Sequence, residues 1–205
     1  MSIDNMFLIA HENGVEEGTL SPETRHIIVS AEQHVDISLL LLKGNADIRV
    51  TLAEPKASCH IKAVYLSSGN NKSNLNIDVI HDASETESHQ MVKGIVTDTA
   101  KTTFHGVIRI PHGSQKCIGN QNHRSVLLAS QATVTAIPEL EIYADDVQCA
   151  HGSAVGALDE GALFYLMSRG ISQKAAYHML LRAMMSDILP PSFEPVLQEW
   201  MEQNA

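Results

Sequence analysis

Aromatic side chains are scarce in this chain, at 4% of 205 residues, with a single tryptophan. Its core must therefore rest on Val, Ile, Leu, Met and Ala, and the 44% hydrophobic content is enough to build one. Basic residues are outnumbered, 14 against 24 acidic, giving a formal net charge of -10. The acidity is spread along the chain and leaves no basic stripe for phosphates, so nucleic acid is not an expected partner. Such a charge keeps a soluble protein apart by self-repulsion. Long apolar runs are also missing. The longest, Ile37 to Leu42, is strand-sized, far below the roughly 18 residues that span a bilayer. The opening MSIDNMF has no basic stretch followed by an apolar one, so neither a secretory signal nor a membrane is expected. Cysteine is limited to Cys59, Cys117 and Cys149. An odd number at wide spacing is no disulfide framework and points to a reducing, cytoplasmic setting.

Catalytic and cofactor motifs are absent too. The chain has no phosphate-cradling GxxxxGK[ST], no GxGxxG, no HExxH, no CxxC and no GxSxG. The expectation is a protein that is not an enzyme by itself.

What the chain does have is a dense series of short strand patterns between His26 and Leu158. HIIV (26–29), ADIRVTLA (46–53), SCHIKAVYL (58–66), NLNIDVI (74–80) and FHGVIRI (104–110) are examples. In the second, Ile48, Val50 and Leu52 share one face while Asp47, Arg49 and Thr51 take the other. Turn clusters rich in Gly, Asn and Ser separate the strands, as at 67–74, 81–88 and 111–114. No amphipathic helix interrupts them, which argues against βαβ units and leaves a sandwich, a barrel or a β-solenoid. No sharp repeat motif chooses among the three.

The character changes at Asp159, which can cap a helix carrying Leu163, Phe164, Leu166 and Met167 and ending at Gly170. Ser172 can cap a second helix, whose period of 3.6 selects Ala176, Met179, Leu180, Ala183, Met184 and Ile188. Pro190 and Pro191 stop it, and a short third helix is expected from about Phe193 to Met201. The expected organisation is a β body over residues 1–158 and a helical region over 159–205.

Eleven histidines are scattered along the chain. One has distinctive surroundings: EIYADDVQCAHGSAVG (141–156) brings Asp145, Asp146, Cys149 and His151 within seven residues. In a strand, Cys149 and His151 point to the same face. Thiolate and imidazole both suit iron or zinc, although Cys149 is equally suited to act as a small buried hydrophobe.

The string PELEIYADDVQCAHGSAVGALDEGALFYLMSRGIS (138–172) resembles the C-terminal part of the SufB/SufD family of iron–sulfur cluster assembly proteins. KGIVTDTAKTTFHGVIRI (93–110) and QNHRSVLLAS (121–130) fit the same family. The first 90 residues match only in character.

The resemblance implies a right-handed parallel β-helix with a helical C-terminal region. It also implies a scaffold that pairs through its β-helix with a SufB-like subunit or a second copy of itself. A SufC-like ABC ATPase would dock on the C-terminal helices. The resemblance is to SufD rather than SufB: Ile142 stands where SufB carries a cysteine, and Gly152 where SufB carries a glutamate. His151 matches the histidine that the family associates with nascent cluster formation. A transient iron–sulfur cluster, shared with a partner, is therefore expected at His151, with Cys149 as a second donor and no permanently bound cofactor. Family chains are about twice as long and open with a helical region. The resemblance thus implies a short member or a domain.

Two other readings are compatible with the residues. One is a stand-alone homodimer binding metal or cluster through His151 and Cys149. The other is a β-helix enzyme acting on polysaccharide, for which Asp145 and Asp146, adjacent and so on opposite sides of a strand, are poorly placed.

Overall fold

The computed structural model describes residues 6–12, 14–19 and 25–205. Ten strands alternate between two parallel sheets. β3 (Arg25–Val29), β5 (Asn45–Leu52), β7 (Lys72–His81), β9 (Lys101–Ile110) and β11 (Thr133–Ile142) form one. β4 (His34–Leu41), β6 (Ser58–Ser67), β8 (Glu87–Val96), β10 (Cys117–Leu127) and β12 (Val147–Ala157) form the other. The second sheet is extended at its β4 edge by β1 (Met6–Glu12), antiparallel to β4, and then by β2 (Gly14–Thr19). Each strand pairs with the one two places on in sequence, so the chain winds into a β-solenoid of about four turns. Parallel pairing of every second strand into two separate open sheets excludes the antiparallel sandwich and the closed barrel.

Each coil advances the chain by a variable number of residues. The step is 24 between His34 and Ser58, 29 between Asn45 and Asn74, and 31 between Gln90 and Gln121. One corner holds a column of turns in which Glu32, Lys56, Glu85 and Lys116 have φ of 59, 62, 60 and 57°. A left-handed residue other than glycine costs roughly 1–2 kcal/mol. Here the turns link coils: the Glu32 amide donates to the Pro55 carbonyl and the Glu85 amide to the Gln115 carbonyl. Charge alternates up the column, with Lys56 3.5 Å from Glu32 and Lys116 3.9 Å from Glu85.

Inward residues fill the lumen. Ile48, Val50 and Leu52 are buried as their alternation requires, while Arg49 is exposed. The main cluster runs through Val35, Ile37, Ile61, Leu75, Ile77, Val79 and Phe104. Towards the C-terminal coils the lumen becomes polar. Tyr65 of β6 lies opposite Gly94 of β8, and the missing side chain there lets its ring pass beneath β8. Its hydroxyl meets Nε2 of His123 on β10 at 2.8 Å and also bonds Ser125. The Phe104 ring stacks on His123 at 4.8 Å, and His123 Nδ1 lies 2.9 Å from Ser153 Oγ on β12. A second buried imidazole, His81, lies 2.8 Å from both Thr86 Oγ1 and Ser88 Oγ.

Three helices follow: α1 (Glu160–Ser168), α2 (Gln173–Met185) and α3 (Glu194–Asn204), the last preceded by a 3-10 turn at Pro191–Phe193. The expected caps form. Asp159 accepts from the Ala162 amide and Ser172 from the Ala175 amide. Gly170 takes φ 86°, with its amide on the Met167 carbonyl and the Ile171 amide on the Leu166 carbonyl, a Schellman ending.

The buried stripe of α2 differs from the expected one. Ala176, Leu181 and Met185 are buried, whereas Met179 and Ala183 are exposed and Leu180 and Met184 lie between. The reason is that α2 and α3 pack on the outer face of the larger sheet. There Leu40, Val64, Leu66 and Ile95 cluster with Leu181, Met185, Ile188, Phe193, Leu197, Trp200 and Met201. Lys93 of β8 fastens this layer, donating to the Met184 carbonyl at 2.7 Å and to Asp187 at 2.5 Å. The third helix runs three residues beyond its expected end at Met201. No helix among the described residues is long and apolar enough to cross a membrane.

Gly94→Ala would place a Cβ 2.0 Å from Cε2 of Tyr65. It should cost about 2–3 kcal/mol in urea-induced unfolding. Gly94→Ala with Tyr65→Leu should recover part of that loss, because the two sites share one space.

A second expectation concerns pH. Burial lowers the pKa of both His81 and His123 from 6.5 to about 4. The unfolded chain therefore takes up these protons first as pH falls. The contribution is intact above about pH 6.5 and is lost between there and pH 4, on the order of 3 kcal/mol per histidine at most. Urea midpoints measured from pH 7.5 to 4.5 should fall across that window, and a flat profile would contradict the neutral buried state.

Candidate functional site

A solenoid has two ends, and they differ here. At the first end the larger sheet continues from β4 into the antiparallel β1–β2 pair. At the other, β12 is the last strand of its sheet and β11 the last of the other. β12 is 11 residues long, and every residue from Ala150 to Ala157 is exposed. Ile137, Ile142, Tyr143 and Val155 add apolar surface to the same end. A long, uncovered, partly apolar edge strand is a template for pairing with another chain.

The sequence-selected residues lie on this strand. Pairing with β10 sets Cys149 opposite Gly119 and His151 opposite Gln121. Gly119, Gln121, His123 and Ser125 form the buried, lumen-facing row of β10. Cys149, His151 and Ser153 thus continue the lumen row onto the terminal coil, where, among the described residues, no further strand stacks above them. Cys149 is half-buried and packs against the small cluster of Ile108, Ile110 and Cys117. Desolvation raises its thiol pKa, offset in part by a hydrogen bond with the Gly119 backbone. His151 is exposed. Below it, Gln121 Nε2 donates to Gln90 Oε1 at 2.8 Å, while Gln121 Oε1 and Gln90 Nε2 are buried without partners. The polar lumen therefore reaches up to the strand that carries His151.

The strand offers one thiol and one imidazole. Among the described residues, no third His, Cys, Asp or Glu gathers with them into a metal-holding group. The other two cysteines are structural. Cys59 is fully buried in the main core, and burial pushes its thiol to about 12. Cys117 is fully buried and accepts from the Thr86 hydroxyl at 3.3 Å. Asp145 and Asp146 are both exposed in the bend before β12. Ile142 is exposed at the same end.

The helical region adds a second uncovered surface. α1 has no buried residue, and Phe164, Tyr165 and Met167 are exposed at 75%, 57% and 42%. Met179 of α2 is exposed as well, whereas Met185 lies in the core. A groove of about 540 Å³ separates α1 and α2 from β10 and β12, lined by Arg124, Val126, Leu158, Ala162 and Leu180 among others. The sequence selects α1 by its apolar residues but gives no means of telling that none of them is fully buried.

Known proteins resemble this chain in the same terms. The family model for the SUF system FeS cluster assembly, SufBD core domain, matches residues 14–184. The Iron-sulfur cluster assembly protein SufD of Escherichia coli K12 is 38% identical over 108 residues, 53% of this chain and 26% of that protein. The SufD of Bacillus subtilis is 31% identical over 128 residues, 62% of this chain and 29% of the relative. An Iron-sulfur cluster assembly SufBD family protein of Synechocystis is 28% identical over 155 residues, 76% of this chain and 34% of the relative. The matched region thus spans between a quarter and about a third of these relatives' own lengths. With its parallel solenoid, its terminal CAHG strand and a core-domain match over most of its length, the chain belongs to the SufB/SufD family of iron–sulfur cluster assembly proteins.

Proposed function

We propose that this chain is a SufD-like scaffold subunit that pairs through the open end of its solenoid and shares a nascent cluster with its partner there. The observation that carries the reading is the position of His151. It stands on the last strand of its sheet, in the lumen row, with Cys149 two residues away and, among the described residues, no strand above it. An imidazole and a thiol are suitable donors to iron, and two donors do not complete a site. The remaining ligands come from the partner, a SufB-like subunit or a second copy of this chain. The cluster is cargo, built at the joint and released, and the chain performs no chemistry alone. Three free cysteines suit a reducing cytoplasmic compartment.

The second half of the proposal is that a SufC-like ABC ATPase docks on the helical region. Phe164, Tyr165 and Met167 on α1 support this, as aromatic and methionine side chains serve as adaptable anchors at interfaces. Deleting residues 159–205 would be an uninformative test, because it would also strip the cover from Leu40, Val64, Leu66 and Ile95. Surface substitutions separate the roles. The chain is co-expressed with SufB-like and SufC-like proteins and recovered by affinity. The unaltered chain should retain both. Phe164→Glu with Met167→Glu should lose the ATPase and keep the SufB-like subunit. His151→Ala should keep both and lower reconstituted cluster by roughly tenfold or more, as expected for loss of a metal ligand. Normal cluster yield with His151→Ala would overturn the cluster-binding role. Undiminished ATPase recovery with the α1 variant would overturn the docking surface.

A further inference from the structure

A different group of side chains lies on the outer wall of the solenoid. His34 and Asp36 are two residues apart on β4 and so share its outward face, while Val35 and Ile37 point into the core. The pairing of β4 with β6 sets Asp36 opposite His60 and His34 opposite Ser58. Asp36 Oδ1 then lies 3.3 Å from His34 Nε2 and 3.5 Å from His60 Nδ1. One ligand atom from each of the three residues falls within 4.8 Å of the others. Around a tetrahedral zinc ion with bonds of about 2.0–2.1 Å, donor atoms stand about 3.3 Å apart. Two of the three spacings, 3.3 and 3.5 Å, are already close to that value.

We propose that His34, Asp36 and His60 form a binding site for one divalent first-row transition metal ion of the zinc or ferrous type. Four features support this beyond proximity. First, His34 Nδ1 lies 2.8 Å from Ser58 Oγ. With its proton on Nδ1 and donated to that hydroxyl, the ring presents the Nε2 lone pair to the site, the usual outer-shell arrangement of a ligating histidine. Second, a third imidazole, that of His89 on β8, flanks His60 on the same outer face. The three rings stand in a row, with centroids 4.5 Å apart for His34 and His60 and 5.2 Å for His60 and His89. Third, two carboxylates, Asp36 and Glu87, face these imidazoles, with Glu87 2.6 Å from His89 Nε2. Lys62, the next outward residue on β6, acts instead on Asp187 of the helical region. A dication would balance the local negative charge. Fourth, two imidazoles and one carboxylate suit zinc or iron in the +2 state better than magnesium or calcium, which prefer all-oxygen sites. Water completes the coordination, since the three side chains are 41%, 55% and 45% exposed.

The site is separate from His151. It occupies the outer face rather than the lumen row, and β6 lies three strands from β12, about 14 Å at the spacing of paired strands. It therefore does not depend on the proposed cluster role.

The test uses the untagged full chain, stripped with chelator and titrated with Co²⁺, whose visible absorption reports nitrogen and oxygen coordination. Zn²⁺ competition follows. One equivalent per chain should bind and be displaced by Zn²⁺. His34→Ala with His60→Ala should weaken Co²⁺ binding at least about tenfold, in line with the 10–100-fold cost of even outer-shell losses. Asp36→Asn, a nearly isosteric change, should weaken it in a variant of unaltered melting temperature. His151→Ala with Cys149→Ala should leave it unchanged. Equal Co²⁺ binding by the original chain and by the His34/His60 variant would overturn the site. So would an absence of any bound equivalent, or loss of binding only in the His151/Cys149 variant.

Discussion

Everything in this molecule depends on the parallel backbone ladder. A single coil of a solenoid cannot bury its own inward side chains or satisfy both edges of its strands, so each coil is stable only because another lies on it. This constraint fixes the register from β3 to β12. It also explains why one pattern of inward residues recurs without a consensus sequence: what must match between coils is the alternation, not the side chain. Where a side chain does reach past its neighbour, the neighbour gives way. Tyr65 crosses to His123 and Ser125 only because Gly94 leaves the space.

The outer face follows different rules on the two sheets. On the smaller sheet it is a solvated charge ladder. Asp78 holds Arg49 at 3.2 Å and Arg109 at 3.0 Å, and Arg109 also pairs with Glu141. On the larger sheet the C-terminal halves of β4, β6 and β8 are apolar on both faces apart from Lys93, because α2 and α3 cover them. The N-terminal halves of β4 and β6 stay uncovered, and there the outward row holds His34, Asp36, His60 and their neighbours. The helical layer thus ends where the histidine row begins. One sheet carries a packed layer at one end of its strands and a polar, histidine-bearing face at the other.

Much of this was legible in the sequence, for identifiable reasons. ADIRVTLA reads directly as a half-buried strand because Ile48, Val50 and Leu52 obey a period of two. Asp159, Ser172 and Gly170 announced their caps, because capping is local chemistry. The coil length was hidden, since a step that drifts from 24 to 31 residues leaves no fixed period to detect. The α2 stripe was misplaced from Leu181 to Met179 and Leu180 because the choice depends on which face meets the sheet. The consecutive run Leu39 to Leu42 held the missing clue: a strand with no polar alternation is covered on both faces. The resemblance pointed to His151, but its exposure follows from β12 being the last strand of its sheet, which only topology reveals. His34 and His60, 26 positions apart in a scattered set of eleven histidines, meet solely through strand register.

The two ends of the larger sheet meet the ladder constraint differently. At the β4 end, the antiparallel β1–β2 pair takes up the edge. At the β12 end, 11 residues of strand offer backbone donors and acceptors in a regular row, flanked by Ile137, Ile142 and Val155. Covering that edge with a local hairpin would be easy by the same means used at β4. It would also bury the lumen row that carries Cys149 and His151. Under the proposed function, an edge left open would do two things at once: offer unsatisfied pairing to a partner strand, and hold the donor side chains at the plane where the partner's ligands would arrive. A partner that extends the sheet aligns its own terminal row with this one by backbone register alone. Ligands from two chains can then be brought to one ion without a preformed pocket in either.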